Sequence, residues 1–144
     1  MASINPYLLF NGNCEEAFLF YQSVFGGEFP YMGKYNDMPA DDSTPPLSVA
    51  DGNRVMHVSL PIGNTILMGS DSNSQSGDVV MGANVSISIN TESRAEADKL
   101  FNGLSAGGNA FMPMNNTFWG AYFGMFIDKF GIHWMVNYDE VPQQ

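Results

Sequence analysis

The chain is poor in cysteine, in basic residues and in long apolar runs. It has one cysteine, Cys14, which excludes an internal disulfide and a cysteine-built metal cluster. The lack of a disulfide framework fits a reducing compartment. Five Lys or Arg stand against 15 Asp or Glu, a formal net charge of −10. Such a charge repels phosphate backbones, so no nucleic-acid partner is expected. No apolar run approaches the roughly 20 residues that a membrane helix needs. No N-terminal stretch joins basic residues to a long apolar run in the manner of a signal peptide. A cytoplasmic protein without a membrane partner is the expectation. Ser-His-Asp order, GxxxxGK[ST] and GxGxxG are missing too, so nothing points to a triad hydrolase or a phosphate-cradling loop.

What is present is a chain of 144 residues, 44% hydrophobic and 14% charged, enough for one domain with a real core. Residues 4–10 (INPYLLF) read as a strand. Asn13 then stands where a helix N-cap would, with Glu16 three residues on, and Ala17, Phe20, Tyr21, Val24 and Phe25 follow at helical spacing. Gly26-Gly27 ends that helix. Residues 29–35 form a further strand, and 36–53, rich in Pro, Gly, Asp and Asn, a long loop of the kind that covers sites. Strands over 55–60 and 65–70 meet at Gly63-Asn64. Their pairing sets His57 and Ser59 beside Ser70 and Met68, and Val58 and Leu60 beside Gly69 and Leu67.

After a polar linker at 72–82 the pattern repeats. Residues 84–89 (NVSISI) alternate, with Val85, Ile87 and Ile89 on one face and Asn84, Ser86 and Ser88 on the other. Ser93-x-x-Glu96 is a capping box, Ala97, Leu100, Phe101 and Leu104 form an apolar stripe, and Gly107-Gly108 closes the helix. A strand near 111–114 precedes a hairpin over 119–137 with its turn at Asp128-Lys129-Phe130-Gly131. Paired across that turn, Phe123, Met125 and Ile127 meet Val136, Trp134 and Ile132 on an apolar face. Tyr122, Gly124 and Phe126 meet Asn137, Met135 and His133 on a mixed one.

Strand, helix and three strands, twice over, predict an α+β fold of two βαβββ modules. The modules span 1–71 and 83–144 of a single domain and form a cupped mixed β-sheet with the helices on its outer face. Each helix needs an apolar sheet face. The faces left over carry the candidate ligand-binding residues: His57, Ser59, Met68, Asn84, Ser86, Trp119, Tyr122, His133, Met135 and Asn137. Trp119, Tyr122 and Phe126 offer surfaces for stacking, and Trp134 reads as core. Cys14 lies in the first turn of helix 1, where the helix dipole lowers a thiol pKa, but no base accompanies it. Glu15 and Glu16 read as helix-start charges.

The segments PYLLFNGNCEEAFLFYQSVFGG, MHVSLPIGNTILMGSD and WGAYFGMFIDKFGIHWMVN, in this repeated order, resemble the vicinal oxygen chelate superfamily of glyoxalase I, extradiol dioxygenases and bleomycin-resistance proteins. Within it the chain resembles the PhnB-like branch. The resemblance implies homodimers, some formed by exchange of modules. It also implies that metal-dependent members place His, Glu or Gln at four inner-strand positions, which fall here near Pro6, Met68, Asn84 and Met135. Thioethers and proline do not serve a hard divalent cation, so neither a metal nor another cofactor is expected. The leading expectation is a homodimeric small-molecule-binding protein whose ligand is partly aromatic. The alternatives are a metal-dependent lyase or dioxygenase with a non-standard site, and a structural dimer with a vestigial pocket.

Overall fold

The computed structural model describes residues 1–39, 47–73 and 77–140. Parts of the expected long loop and of the polar linker lie outside these. The chain divides into two compact units, Met1–Val80 and Met81–Gln144, here modules 1 and 2.

Module 1 runs β1 (Tyr7–Phe10), α1 (Cys14–Phe25), β2 (Tyr31–Lys34), a 3-10 turn (Tyr35–Asp37), the single-turn helix α2 (Val49–Gly52), β3 (Val55–Ile62) and β4 (Thr65–Asp71). Module 2 runs β5 (Ile87–Asn90), α3 (Arg94–Ser105), β6 (Asn109–Asn116), β7 (Ala121–Ile127) and β8 (His133–Asp139). The two sheets share one topology, β1-β4-β3-β2 and β5-β8-β7-β6. In each, the first strand lies parallel to the last and the other pairs are antiparallel. The architecture is α+β, two βαβββ modules, each an open four-stranded mixed sheet. Among the described residues no helix is long and apolar enough to cross a membrane.

In both modules the helix side of the sheet is built around a glycine. Phe10, Phe18, Tyr21, Val58, Leu60 and Leu67 are buried in module 1. A Cβ on Gly69 would stand 2.7 Å from the Phe18 ring and 2.8 Å from the Leu8 carbonyl, so only glycine lets α1 press this close. In module 2, Phe101, Phe126, Trp134 and Val136 are buried, and Phe101 meets Phe126 edge to face with centroids 5.1 Å apart. Gly124 lies under them; a Cβ there would stand 2.8 Å from the Phe101 ring.

The β3–β4 register is the expected one: Val58 pairs with Gly69, Ser59 with Met68 and Leu60 with Leu67. The β7–β8 register is not. Phe126 pairs with Trp134, Gly124 with Val136, Tyr122 with Tyr138, Met125 with Met135 and Phe123 with Asn137. The loop holds five residues, 128–132, rather than four, because the Asp128 amide donates to the Ile132 carbonyl (2.9 Å). The Asp128 carboxylate secures it, with Oδ1 accepting from the Phe130 and Ile132 amides and Oδ2 from Trp134 Nε1 at 2.8 Å. One extra loop residue turns every β7 side chain to the opposite face.

The row at 84–89 is also corrected. The strand begins at Ile87, and Asn84, Val85 and Ser86 precede it. Val85 is 74% exposed rather than beneath a helix. Ile87 and Ile89 pair with Trp134 and Val136 on the helix side, and Ser88 pairs with Met135 on the other.

Candidate functional site

Cys14 lies at the N-terminus of α1, which is capped differently from the expectation. Asn13 makes no side-chain cap. Asp71, at the end of β4 and 1% exposed, takes that role instead. Its Oδ1 accepts from the Gly12 and Cys14 amides (2.8 and 3.0 Å), and its Oδ2 accepts from the Val55 amide (2.9 Å). One carboxylate thus ties β4, the start of α1 and the start of β3. Cys14 is fully buried beside it. Burial, together with the Asp71 and Glu15 charges, raises the thiol pKa far above its ordinary value, which overturns the lowering expected from the helix dipole. Cys14 is an inert core thiol.

In module 1 the face away from α1 holds His57, Ser59 and Met68, three of the expected ligand-binding residues. Ser59 pairs with both Tyr31 and Met68, and Met68 with Tyr7, so the tyrosines share that face. The Tyr7 ring stacks on the His57 imidazole with centroids 5.7 Å apart and planes at 30°, and its phenol oxygen is 3.2 Å from Nδ1. The Tyr31 ring flanks His57 at 5.9 Å and 39°. The sequence reading missed Tyr7 and Tyr31. The period-2 pattern of β1, and the pairing of β2 with β3 once its register is known, would have found them.

In module 2 the face away from α3 carries His133, Met135 and Asn137, joined by Phe123 and Met125 rather than Tyr122 and Phe126. Asn137 donates to Asn90 Oδ1 and Asp139 Oδ1. Tyr122 belongs to the helix side. Its phenol donates to Asp98 Oδ1 at 2.6 Å, the Arg94 guanidinium lies 3.9 Å from its ring centroid, and Arg94 also pairs with Glu140. The bond to Asp98 raises the Tyr122 pKa above its ordinary value. Phe126 is fully buried against Phe101 and offers no stacking surface. Asn84 is exposed and Ser86 half-buried, both before β5.

Trp119 is placed differently again. It helps to wall a concavity of about 490 Å³ at the β6–β7 hairpin, with Phe111, Met112, Met114 and Phe123 as its apolar sides and Asn115 and Asn116 among its polar ones. Trp119 and Phe123 meet at a centroid distance of 6.4 Å. The β6–β7 register is irregular beside this space: pairing shifts between Asn109 and Met112 and again between Met112 and Asn115, as in a bulged ladder.

The four positions that the resemblance assigns to metal ligands do not suit a divalent cation. Pro6 precedes β1 and offers only its carbonyl, which accepts from the Met68 amide. Met68 and Met135 offer thioethers. Asn84 lies outside the strands. Among the described residues no three His, Cys, Asp or Glu side chains converge. The donor set is soft and sparse where a hard cation needs several oxygens or nitrogens.

Residues 2–137 match the model of a family described as 3-demethylubiquinone-9 3-methyltransferase. The crystal structure of protein PA1353 from Pseudomonas aeruginosa is 41% identical, covers 96% of this chain and 98% of its own, and superposes with a TM-score of 0.83. Protein YjdN of Escherichia coli (strain K12) is 28% identical over 137 residues, 93% of each chain. The PhnB protein from Bacillus cereus is 25% identical, with coverage of 95% of this chain and 99% of its own and a TM-score of 0.73. Glyoxalase-related and glyoxalase/bleomycin resistance protein/dioxygenase family enzymes, at 16% and 15% identity, share the fold alone.

Proposed function

The chain belongs to the PhnB-like family described as 3-demethylubiquinone-9 3-methyltransferase, within the glyoxalase/bleomycin-resistance superfamily, and on that premise we propose that it is a homodimeric small-molecule-binding protein with a partly aromatic ligand and no resident divalent cation. The observation that carries this reading is the Trp119 concavity. Its volume of about 490 Å³ falls in the range of ligand pockets, and it combines apolar walls with a few amides, as such pockets do. The thioether donor set at the superfamily's metal positions supports the absence of a cation.

The family's description names a methyltransferase, but the Gly12 and Cys14 amides at the start of α1 are not free to hold a methyl donor of nucleoside type. The β1–α1 turn is where open α/β sheets hold nucleotides, with free amides at a helix N-terminus. In this chain the Gly12 and Cys14 amides are already held by Asp71, so no methyl-transfer step is assigned.

The test is a thermal-shift screen of small aromatic compounds on the full chain, with elemental analysis of the same preparation. The expected result is a ligand that stabilises the protein without added metal, an effect diminished in Trp119→Ala. One zinc, nickel, iron or manganese per chain, lost with ligand binding on EDTA treatment, would overturn the reading.

A further inference from the structure

Module 2 carries a feature that the Trp119 concavity does not explain. Met112 of β6 pairs with Met125 of β7, and Met125 pairs with Met135 of β8. Paired residues of neighbouring strands project to one face, so three methionines stand abreast across three consecutive strands. The face is the one away from α3, because Gly124 and Phe126, on either side of Met125, lie against Phe101. These are not core methionines: Met112 is 45% exposed, and Met125 and Met135 are half-buried. Strand formation does not ask for them either, since sheets favour β-branched and aromatic side chains. Cβ atoms of directly paired residues stand about 4.5–5.5 Å apart. The methionine side chain is long and unbranched, so the outer two sulfurs can lean over the central one and all three can converge on a single ion.

We propose that Met112, Met125 and Met135 form a binding site for a soft monovalent cation of the copper(I) class. Thioethers are poor ligands for hard divalent ions and good ones for copper(I). The chemistry that leaves zinc or iron without ligands in this chain therefore favours this ion. A filled-shell copper(I) ion accepts three ligands in a trigonal plane, which is the number the row supplies. The three ligands are neutral, so the bound ion keeps its positive charge, and a net charge of −10 favours a cation on this chain. The site goes beyond the proposed ligand of the Trp119 concavity, which needs no metal. Met125 and Met135 do not line that concavity, so either site can fail alone.

Silver(I), with the same charge and softness and no accessible redox step, is the first probe. Copper(I), supplied without oxygen from its bicinchoninate complex, is the second. The full chain, with its methionine methyl groups labelled, is titrated with each and with zinc(II). Silver(I) and copper(I) are expected to shift the methyl signals of Met112, Met125 and Met135 together and to saturate at one ion per chain, while Met38 and Met68 stay unmoved. Zinc(II) should leave all three in place. Met125→Leu and Met135→Leu nearly preserve volume and remove a sulfur. Each should weaken silver(I) binding roughly tenfold or more, since losing a ligand costs at least what losing an outer-shell partner does. An unchanged Trp134 indole signal verifies the fold of both variants. The proposal is overturned if silver(I) goes instead to Cys14 or to the exposed Met38, if zinc(II) moves the three signals as silver(I) does, or if both leucine variants bind silver(I) as the parent does.

Discussion

Single residues decide more than their number suggests, and the two buried carboxylates show how. Asp71 receives three backbone amides and Asp128 two amides and an indole N–H. Removing such an acceptor strands several donors, each at about 1–3 kcal/mol where no water reaches. Asp71→Ala is therefore expected to destabilise module 1 by roughly 3 kcal/mol or more in urea denaturation, and Asp71→Asn by less, since an amide oxygen can still accept. Cys14 gives a pH prediction. Its thiol pKa is raised in the folded chain, first by burial and then by Asp71 and Glu15, from an ordinary value of 9.0. The unfolded chain therefore ionises this thiol first. Its contribution is fully present below pH 9 and declines above it by about 1.4 kcal/mol per pH unit. Cys14→Ala should flatten that alkaline slope in stability measured from pH 8 to pH 10, and native Cys14 should resist iodoacetamide until the protein unfolds.

At the scale of elements, the β7–β8 hairpin shows what was legible in the sequence and what was not. Strand alternation was plain in both arms, and Trp134 was correctly read as core. The pairing between the arms depends on loop length, and four or five residues fit the same letters. The choice is made by the three bonds to Asp128, which only the folded loop reveals. Tyr122 and Phe126 were misplaced for that reason, whereas His57, Ser59 and Met68 were placed correctly because Gly63-Asn64 leaves a two-residue turn little freedom. Val85 lies off the expected face because the alternation in NVSISI begins three residues ahead of the strand. The corrected register predicts that Val85→Asn changes stability by less than about 0.5 kcal/mol, whereas Val136→Asn, buried beside Gly124, costs several kcal/mol. Equilibrium denaturation of the two variants separates the registers directly. Gly69→Ala should cost roughly 1–3 kcal/mol, because the new methyl meets the Leu8 carbonyl as well as the Phe18 ring.

For the whole molecule, the repeat is the feature the sequence displayed best. Helix stripes and glycine stops recur in order, and the two sheets repeat one topology, β1-β4-β3-β2 and β5-β8-β7-β6. The ring cluster on the module 1 face was less visible, because its rings come from strands far apart in the chain: Tyr7 and His57 are 50 residues apart, and no spacing rule joins them. The homodimer proposed above is a whole-molecule property too. Sedimentation at micromolar concentration should give twice the chain mass of 15.8 kDa, and a stable monomer there would remove the dimer from the account.

The central claim is that this chain binds a small, partly aromatic molecule without a metal. It is tested most directly by thermal melting of EDTA-treated full-length protein against a library of small aromatic compounds, run with and without added divalent cations. The account predicts at least one compound that raises Tm in the metal-free arm, with a smaller rise in Trp119→Ala. Stabilisation that appears only when zinc, nickel, iron or manganese is restored would contradict it.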